Sequence, residues 1–417
     1  MRSIPHKLWL VLLLSGMTAF GCSERAESPM PGAAGPEQSI YDPINPVLHP
    51  PDENQFVVEF TTSANVGDIA GDLNLTIVDQ YEVNDRQLVL FQGNGVVQVE
   101  DFEADYASAV KSAGVNEEAD INANSGSLTI GFVGGGWDSE TILGQDAFAN
   151  LNLPLVHQSA TGAGVKIGVV DTGADISHEA LVGHLELLPP GLGLTSDETC
   201  DGIDNDGDLV IDEACGHGTF VSAEIAMCAP DATILPVRVL NSDGVGSMVD
   251  VLLGIHLAAE AGCQVINLSL CLTDYSAQFS AVLEELENLD YALIAAAGNA
   301  GTRNPLFPGA SPHLLGVAAT DNTDHIMSWS GGGYRVDLGA PGLNVLSAYF
   351  GGGIGEASGS SMATPLVSSA VALVMEKWNL SAIDAANHVR QTTRPIYPAN
   401  TTQYGCLDLP DAISTQP

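Results

Sequence analysis

Positive charge is scarce in this chain: 12 lysines and arginines stand against 52 aspartates and glutamates, a formal net charge of −40. A surface so acidic repels phosphate backbones, which excludes nucleic acid as a partner. Solubility outside the cell is its plainest use; steering of cationic substrates and a salty habitat fit it as well. Long apolar runs are also lacking. The run Leu8 to Leu14 is too short to span a bilayer. No internal repeat is present. What remains is 417 residues, 45% of them apolar, enough for one large domain and a smaller unit.

The ends of the chain carry an address. Arg2 and Lys7, the apolar run and then Ala19-Phe20-Gly21-Cys22 read as an export signal over 1–22. The small residues before Cys22 resemble a bacterial lipobox, which would make Cys22 a lipidated amino terminus and the only link to a membrane. The same bond also fits a small-x-small site that releases a soluble protein, so cell envelope and extracellular locations both stay open. Without Cys22 the cysteines at 200, 215, 228, 263, 271 and 406 form an even set, as disulfides in an exported chain require. Residues 23–51, with seven prolines, read as a tether.

From 52 to about 125 the pattern changes. Phe56 to Phe60 and Gln87 to Phe91 read as strands, Ala104 to Ser112 as a helix, and Val115 to Ile121 as further strand, a small α+β module. Residues 126–144 are glycine-rich enough for a linker. Beyond them, strands near Val165, Ile234, Val265, Ala292 and Leu315 alternate with helices near Thr219, Met248, Gln278 and Met362, the signature of a parallel sheet covered on both faces.

Three short pieces carry chemistry in a set order: Asp171-Thr172-Gly173, Gly216-His217-Gly218-Thr219 and Gly359-Ser360-Ser361-Met362-Ala363-Thr364-Pro365. A serine hydroxyl barely ionises near neutral pH, so attack through it needs an imidazole base and a carboxylate to orient that base. The buried strand before Asp171 delivers the carboxylate at a strand carboxyl end, where such sheets place their sites. With Val265 to Leu270, Ala295-Ala296-Ala297-Gly298-Asn299 and Ala340-Pro341-Gly342, the motifs make residues 145–414 resemble the catalytic domain of the subtilisin-like serine proteases, the subtilase family.

The resemblance implies a subtilisin-like α/β fold and a serine endopeptidase acting on protein or peptide through an acyl-enzyme. Asp171, His217 and Ser361 would form the triad, and Asn299 would complete the oxyanion hole. Ser269, Leu270, Cys271, Ala297 and Gly298 would line a cleft that pairs with an extended peptide. Cys271 stands where the family usually has glycine, so a side chain would narrow the main specificity pocket. Ser360 replaces the family's threonine, and Phe220 a histidine. The 52–125 module resembles the family's propeptide, an intramolecular inhibitor cut off between 122 and 144; an independent accessory domain or permanent spacer is the alternative.

Between the Asp and His motifs, Cys200 to Cys215 resembles the aspartate-rich calcium loops of bacterial exported proteins. Asp204, Asp206, Asp208 and Asp212 with a carbonyl near Val210 would offer hard oxygens to a structural Ca2+, although Leu209 stands at the place of the EF-hand glycine. A Cys200 to Cys215 bridge would staple the loop. No cofactor is needed for the chemistry. An inactive protease scaffold used for binding is the rival from another class. An esterase elbow is excluded because Ala363 stands where Gly-x-Ser-x-Gly needs its second glycine.

Overall fold

The computed structural model describes residues 52–417 apart from 84, 94, 96, 122–129, 134, 135, 206, 208 and 302–304. The export signal with Cys22, the tether, and Asp206 and Asp208 of the acidic loop lie outside the described residues.

The amino-terminal module runs β1 (Asp52–Thr61), α1 (Val66–Leu73), β2 (Thr76–Val83), β3 (Arg86–Gln92), α2 (Val99–Asp105) and β4 (Val110–Asn116), with an antiparallel sheet ordered β2-β3-β1-β4. Strand alternation sorts its apolar residues onto two faces. Phe56, Val58 and Phe60 of β1 join Val89, Phe91 and Phe102 in a core shared with α1. Val57, Leu88 and Leu90 point the other way and enter the main core of the molecule. A sheet apolar on both faces needs a partner on each, and burying each of those three side chains contributes about 1.5–3 kcal/mol.

The helix expected over Ala104 to Ser112 is a correction. A capping box between Gln98 and Asp101 starts α2 at Val99, and Tyr106 ends it. Residues from Val110 onward instead pair with β1, Val110 opposite Phe60 and Val115 opposite Phe56. The local helix signal lost to sheet partners distant in sequence.

After the module come β5 (Glu118–Asp120), β6 (Gly131–Phe132), α3 (Ser139–Leu143), a 3-10 turn and α4 (Leu153–Val156). Part of the expected linker is therefore ordered: β6 pairs with a later strand, and Asp138 caps α3. The large domain continues β7 (Lys166–Asp171), α5 (His217–Cys228), β8 (Thr233–Arg238), β9 (Val245–Ser247), α6 (Met248–Glu260), β10 (Val265–Leu268), β11 (Cys271–Leu272), α7 (Ala277–Asn288), β12 (Ala292–Ala296) and β13 (Leu315–Thr320). It ends β14 (Leu338–Pro341), β15 (Val345–Ala348), β16 (Ile354–Ala357), α8 (Ser360–Trp378), α9 (Ala382–Gln391), β17 (Gly405–Cys406) and α10 (Leu409–Ser414).

Seven strands form its central sheet in the order β17-β14-β13-β12-β10-β7-β8, every neighbouring pair parallel. Helices cover both faces, and the central strands are buried along their whole length, as their unbroken apolar runs require. The strands and helices expected across this domain all form. Pro365 is the sixth residue of α8 and lies inside the helix; the Ser361 carbonyl that its missing N–H leaves free accepts the Ser269 hydroxyl instead.

The module's sheet rests on α6 and α7. At that seam Arg86 bridges Glu59 (3.1 Å) and Glu285 (2.5 Å), while Glu59 also pairs with His256 at 2.7 Å. Asn116 Oδ1 accepts the Val249 N–H at 3.1 Å.

Candidate active site

Asp171 ends β7 and His217 opens α5. Gly216 takes a left-handed φ of 90°, and a Cβ on Gly218 would overlap the carbonyl oxygen of Gly173. These glycines let the helix start approach the strand end, and His217 Nδ1 lies 2.7 Å from Asp171 Oδ1. The same oxygen accepts the Thr172 N–H at 2.7 Å. Asp171 Oδ2 and His217 Nε2 are buried with no partner among the described residues. An imidazole held from one side with its other nitrogen unsatisfied is set to exchange a proton.

Ser361 is the second residue of α8. Its hydroxyl donates to the Ser269 carbonyl at 3.2 Å, and the Ser269 hydroxyl donates to the Ser361 carbonyl at 2.9 Å. Ser361 Oγ thus makes no hydrogen bond to His217 Nε2 in this arrangement. Asn299 Oδ1 accepts both the N–H (2.8 Å) and the hydroxyl (3.0 Å) of Ser360. Its amide nitrogen is left as a donor without a partner among the described residues. The hydroxyl that serine shares with threonine is what position 360 requires.

The expected cleft is filled. β5 pairs antiparallel with β9 on one side and β11 on the other, Asp120 opposite both Val245 and Cys271, Ala119 opposite Gly246 and Leu272. Ile121 N–H donates to the Gly244 carbonyl at 3.2 Å. Ala119 and Ile121 are buried, while Glu118 and Asp120 stay partly exposed, as alternation along a strand demands. Cys271 Sγ lies 3.9 Å from the Ala296 carbonyl, beside Ala297 and Gly298. Burial, then the neighbouring Asp120 charge, pushes its thiol up to about 12. Cys228, Cys263 and Cys406 are likewise free and buried, so the expected even set of cysteines contains one bridge, Cys200 to Cys215, with Cα atoms 5.6 Å apart. Each of the four free thiols is packed into the core without a cysteine partner.

His178 has a structural role: its Nδ1 accepts the Ala180 N–H at 3.1 Å. Phe220 is wholly buried in the core, and its carbonyl accepts the Ser347 hydroxyl.

In the acidic loop Asp204 accepts from Gly207 and Leu209 N–H groups at 2.7 and 3.1 Å, and Asp212 from Gly202 and Asp201 at 2.8 and 3.2 Å. Leu209 takes φ 77°, the left-handed conformation that a glycine would adopt freely. Among the described residues no three acidic, histidine or cysteine side chains converge on one point. Asp243, which sequence reasoning passed over, anchors the loop: it accepts the N–H groups of Asn205 and, at 2.7 Å, Asp212.

Glu198 was also missed. Its side chain lies wholly inside the protein beside the Asp171–His217 pair. Oε1 accepts the Thr172 hydroxyl (2.5 Å) and the Gly216 N–H (2.9 Å); Oε2 accepts the Thr219 hydroxyl and its N–H (3.3 Å). Burial pushes its carboxyl up to about 7, Asp171 adds to that, and the Thr172 and Thr219 hydrogen bonds pull against it. No spacing rule links it to the three motifs; only the fold brings it there.

A family model described as the subtilase family matches residues 162–403. Halolysin of Haloferax mediterranei is 35% identical over 61% of this chain and 50% of its own length. Subtilisin BL of Lederbergia lenta is 31% identical over 62% of this chain and 93% of its own. M-protease of Shouchella clausii is 30% identical over 79% and 84%. The chain thus spans half of halolysin and nearly all of Subtilisin BL. Among solved structures, fervidolysin from Fervidobacterium pennivorans, a keratinolytic enzyme related to subtilisin, shares the fold with TM-score 0.66 at 20% identity, over 88% of this chain and 61% of that one. The chain therefore belongs to the subtilase family, and its large domain is that of a serine endopeptidase.

Proposed function

We propose that this chain is an exported serine endopeptidase held inactive by its own amino-terminal module, which it then cuts away between 122 and 144. The observation that carries the reading is β5, a strand of the chain itself paired on both sides inside the cleft where an extended substrate would bind. His217 takes the proton of Ser361 as the serine attacks a peptide carbonyl, and Asp171 steadies the imidazolium. The Asn299 amide, with the Ser361 N–H, receives the oxyanion. His217 then returns the proton to the leaving amine, and water repeats the sequence to free the acyl group.

The test is an active-site serine probe and a peptide library applied to purified chain, with mass spectrometry of the amino terminus. Labelling and cleavage that vanish in Ser361→Ala, with a new terminus inside 122–144, support the reading; no labelling of the mature form overturns it.

Two further parts belong to this proposal. Cys22 is acylated and tethers the precursor until the module is removed; fatty-acid labelling lost in Cys22→Ser supports this, and its absence from the wild type sinks it. The acidic loop binds structural Ca2+, supported by its all-oxygen donor set and by Leu209 adopting the glycine conformation. Because Cys215 precedes Gly216-His217, occupancy would steady the catalytic histidine. A chelator that changes neither Tm nor activity removes the calcium reading.

A further inference from the structure

We infer that Glu198 is a positioning residue for the reaction, tying the strand end that carries Asp171 to the helix start that carries His217. The inference rests on the endopeptidase reading above. Its ground is the way the four donors divide. Thr172 follows Asp171 directly, and Gly216 and Thr219 flank His217 on both sides. One carboxylate therefore spans the junction on which the 2.7 Å Asp171–His217 contact depends. The link continues through Thr172, whose hydroxyl oxygen accepts the Gly218 N–H at 2.9 Å, and through Thr219, whose hydroxyl oxygen accepts the Asp175 N–H at 2.7 Å.

The chemistry at this position is restrictive. Each carboxylate oxygen faces one backbone N–H, from Gly216 or Thr219, and a backbone N–H can only donate. Both oxygens must therefore accept. A glutamine of the same shape would set its NH2 against one of these donors, leaving a buried amide unpaired. An uncharged isostere cannot reproduce the clamp.

Charge gives the group a second consequence. The ionisable groups that act on it are Asp171 on β7, Arg238 on β8 and Tyr349 just beyond β15. With Asp171, Glu198 places two carboxyl groups at the junction of β7 and α5. Burial lifts the Glu198 carboxyl to about 7, so its own protonation falls inside the range of a rate profile and weakens its hold on the four donors there. The acid limb of the rate profile then includes the Glu198 proton.

The test is the pH dependence of kcat and KM for peptide cleavage by the processed enzyme, in the wild type, Glu198→Gln and Thr172→Val, with circular dichroism to verify folding. Small misplacement of a catalytic group costs on the order of 10² in rate, and a loss of that order in kcat with KM little changed is expected for Glu198→Gln. Its acid limb should lose the Glu198 step and become shallower, because the group lifted to about 7 has been removed. Thr172→Val keeps the charge but removes one donor to it, so its acid limb should move to higher pH; this variant decides the matter if Glu198→Gln does not fold. A folded Glu198→Gln with wild-type kcat and an unshifted profile overturns the inference, as does a Thr172→Val limb that stays in place. Failure of the wild type to cleave any peptide would instead overturn the endopeptidase reading.

Discussion

The two folded regions of this chain solve the same burial problem in opposite ways. The large domain encloses its parallel sheet between its own helices. The amino-terminal module covers one face of its sheet with α1 and α2 and leaves Val57, Leu88 and Leu90 to be covered by its neighbour. At that face a polar seam crosses the boundary, Glu59 and Arg86 of the module meeting His256 on α6 and the partly exposed Glu285 on α7. The difference teaches which region depends on the other for burial. A sheet apolar on both faces needs a partner on each, and the strand that leaves the module, β5, pairs between β9 and β11.

The sharpest way to break that comparison is Ser361→Ala. Loss of the nucleophile should lower peptide cleavage by about 10⁶ and leave the module joined to the domain, seen as one full-length band on a denaturing gel. A chain still cut inside 122–144 would mean that another protease does the processing.

Next is Arg86→Met in the Ser361→Ala background. It leaves Glu59 with one fewer partner, and breaking one member of a buried pair costs about 3–5 kcal/mol. Hydrogen exchange should accelerate in β1, β3 and β5 while the central sheet stays protected. Uniform acceleration would show that the two regions unfold as one.

Asn299→Ala addresses chemistry alone. A fall in kcat of about 10²–10³ is expected with little change in KM, the usual effect of losing one oxyanion donor, and exchange in the module should not change.

The smallest effect concerns the large domain's own core. Both carboxyl oxygens of Glu224 on α5 are buried without partners among the described residues, and burial raises its carboxyl well above the usual range. Its folded value thus exceeds the unfolded one, so its contribution is full below a pH of about 4.5 and falls as pH rises towards the folded value. Glu224→Met should raise Tm at alkaline pH, relieving about 1–3 kcal/mol of unpaired polar burial, and change little at pH 4. An equal change at both pH values would show that packing, not ionisation, governs the site.

Legibility followed locality. Asp171, His217, Ser361 and Asn299 could be named in advance because each sits inside a few residues whose types already announce the local geometry: a buried strand, two glycines, a helix start. The large-domain strands were readable because parallel buried strands are unbroken apolar runs. The module was harder. Its second helix was misplaced because Val110 to Val115 pairs with β1, a choice made by residues some fifty positions away. Glu198 and Asp243 carry no motif at all, since their value lies in which amides the fold presents to them.

By itself, the sequence determined that this protein is a subtilase with a serine nucleophile, because mechanism depends on residue types at short spacings and these are written consecutively. Only the tertiary structure decided that β5 pairs between β9 and β11, that Ser360 holds Asn299, that one of the cysteine pairs closes, and that a buried glutamate joins the two ends of the Asp–His contact. Each of these needs groups distant in the chain to meet at about 3 Å, the range of a hydrogen bond, and no local pattern encodes that distance.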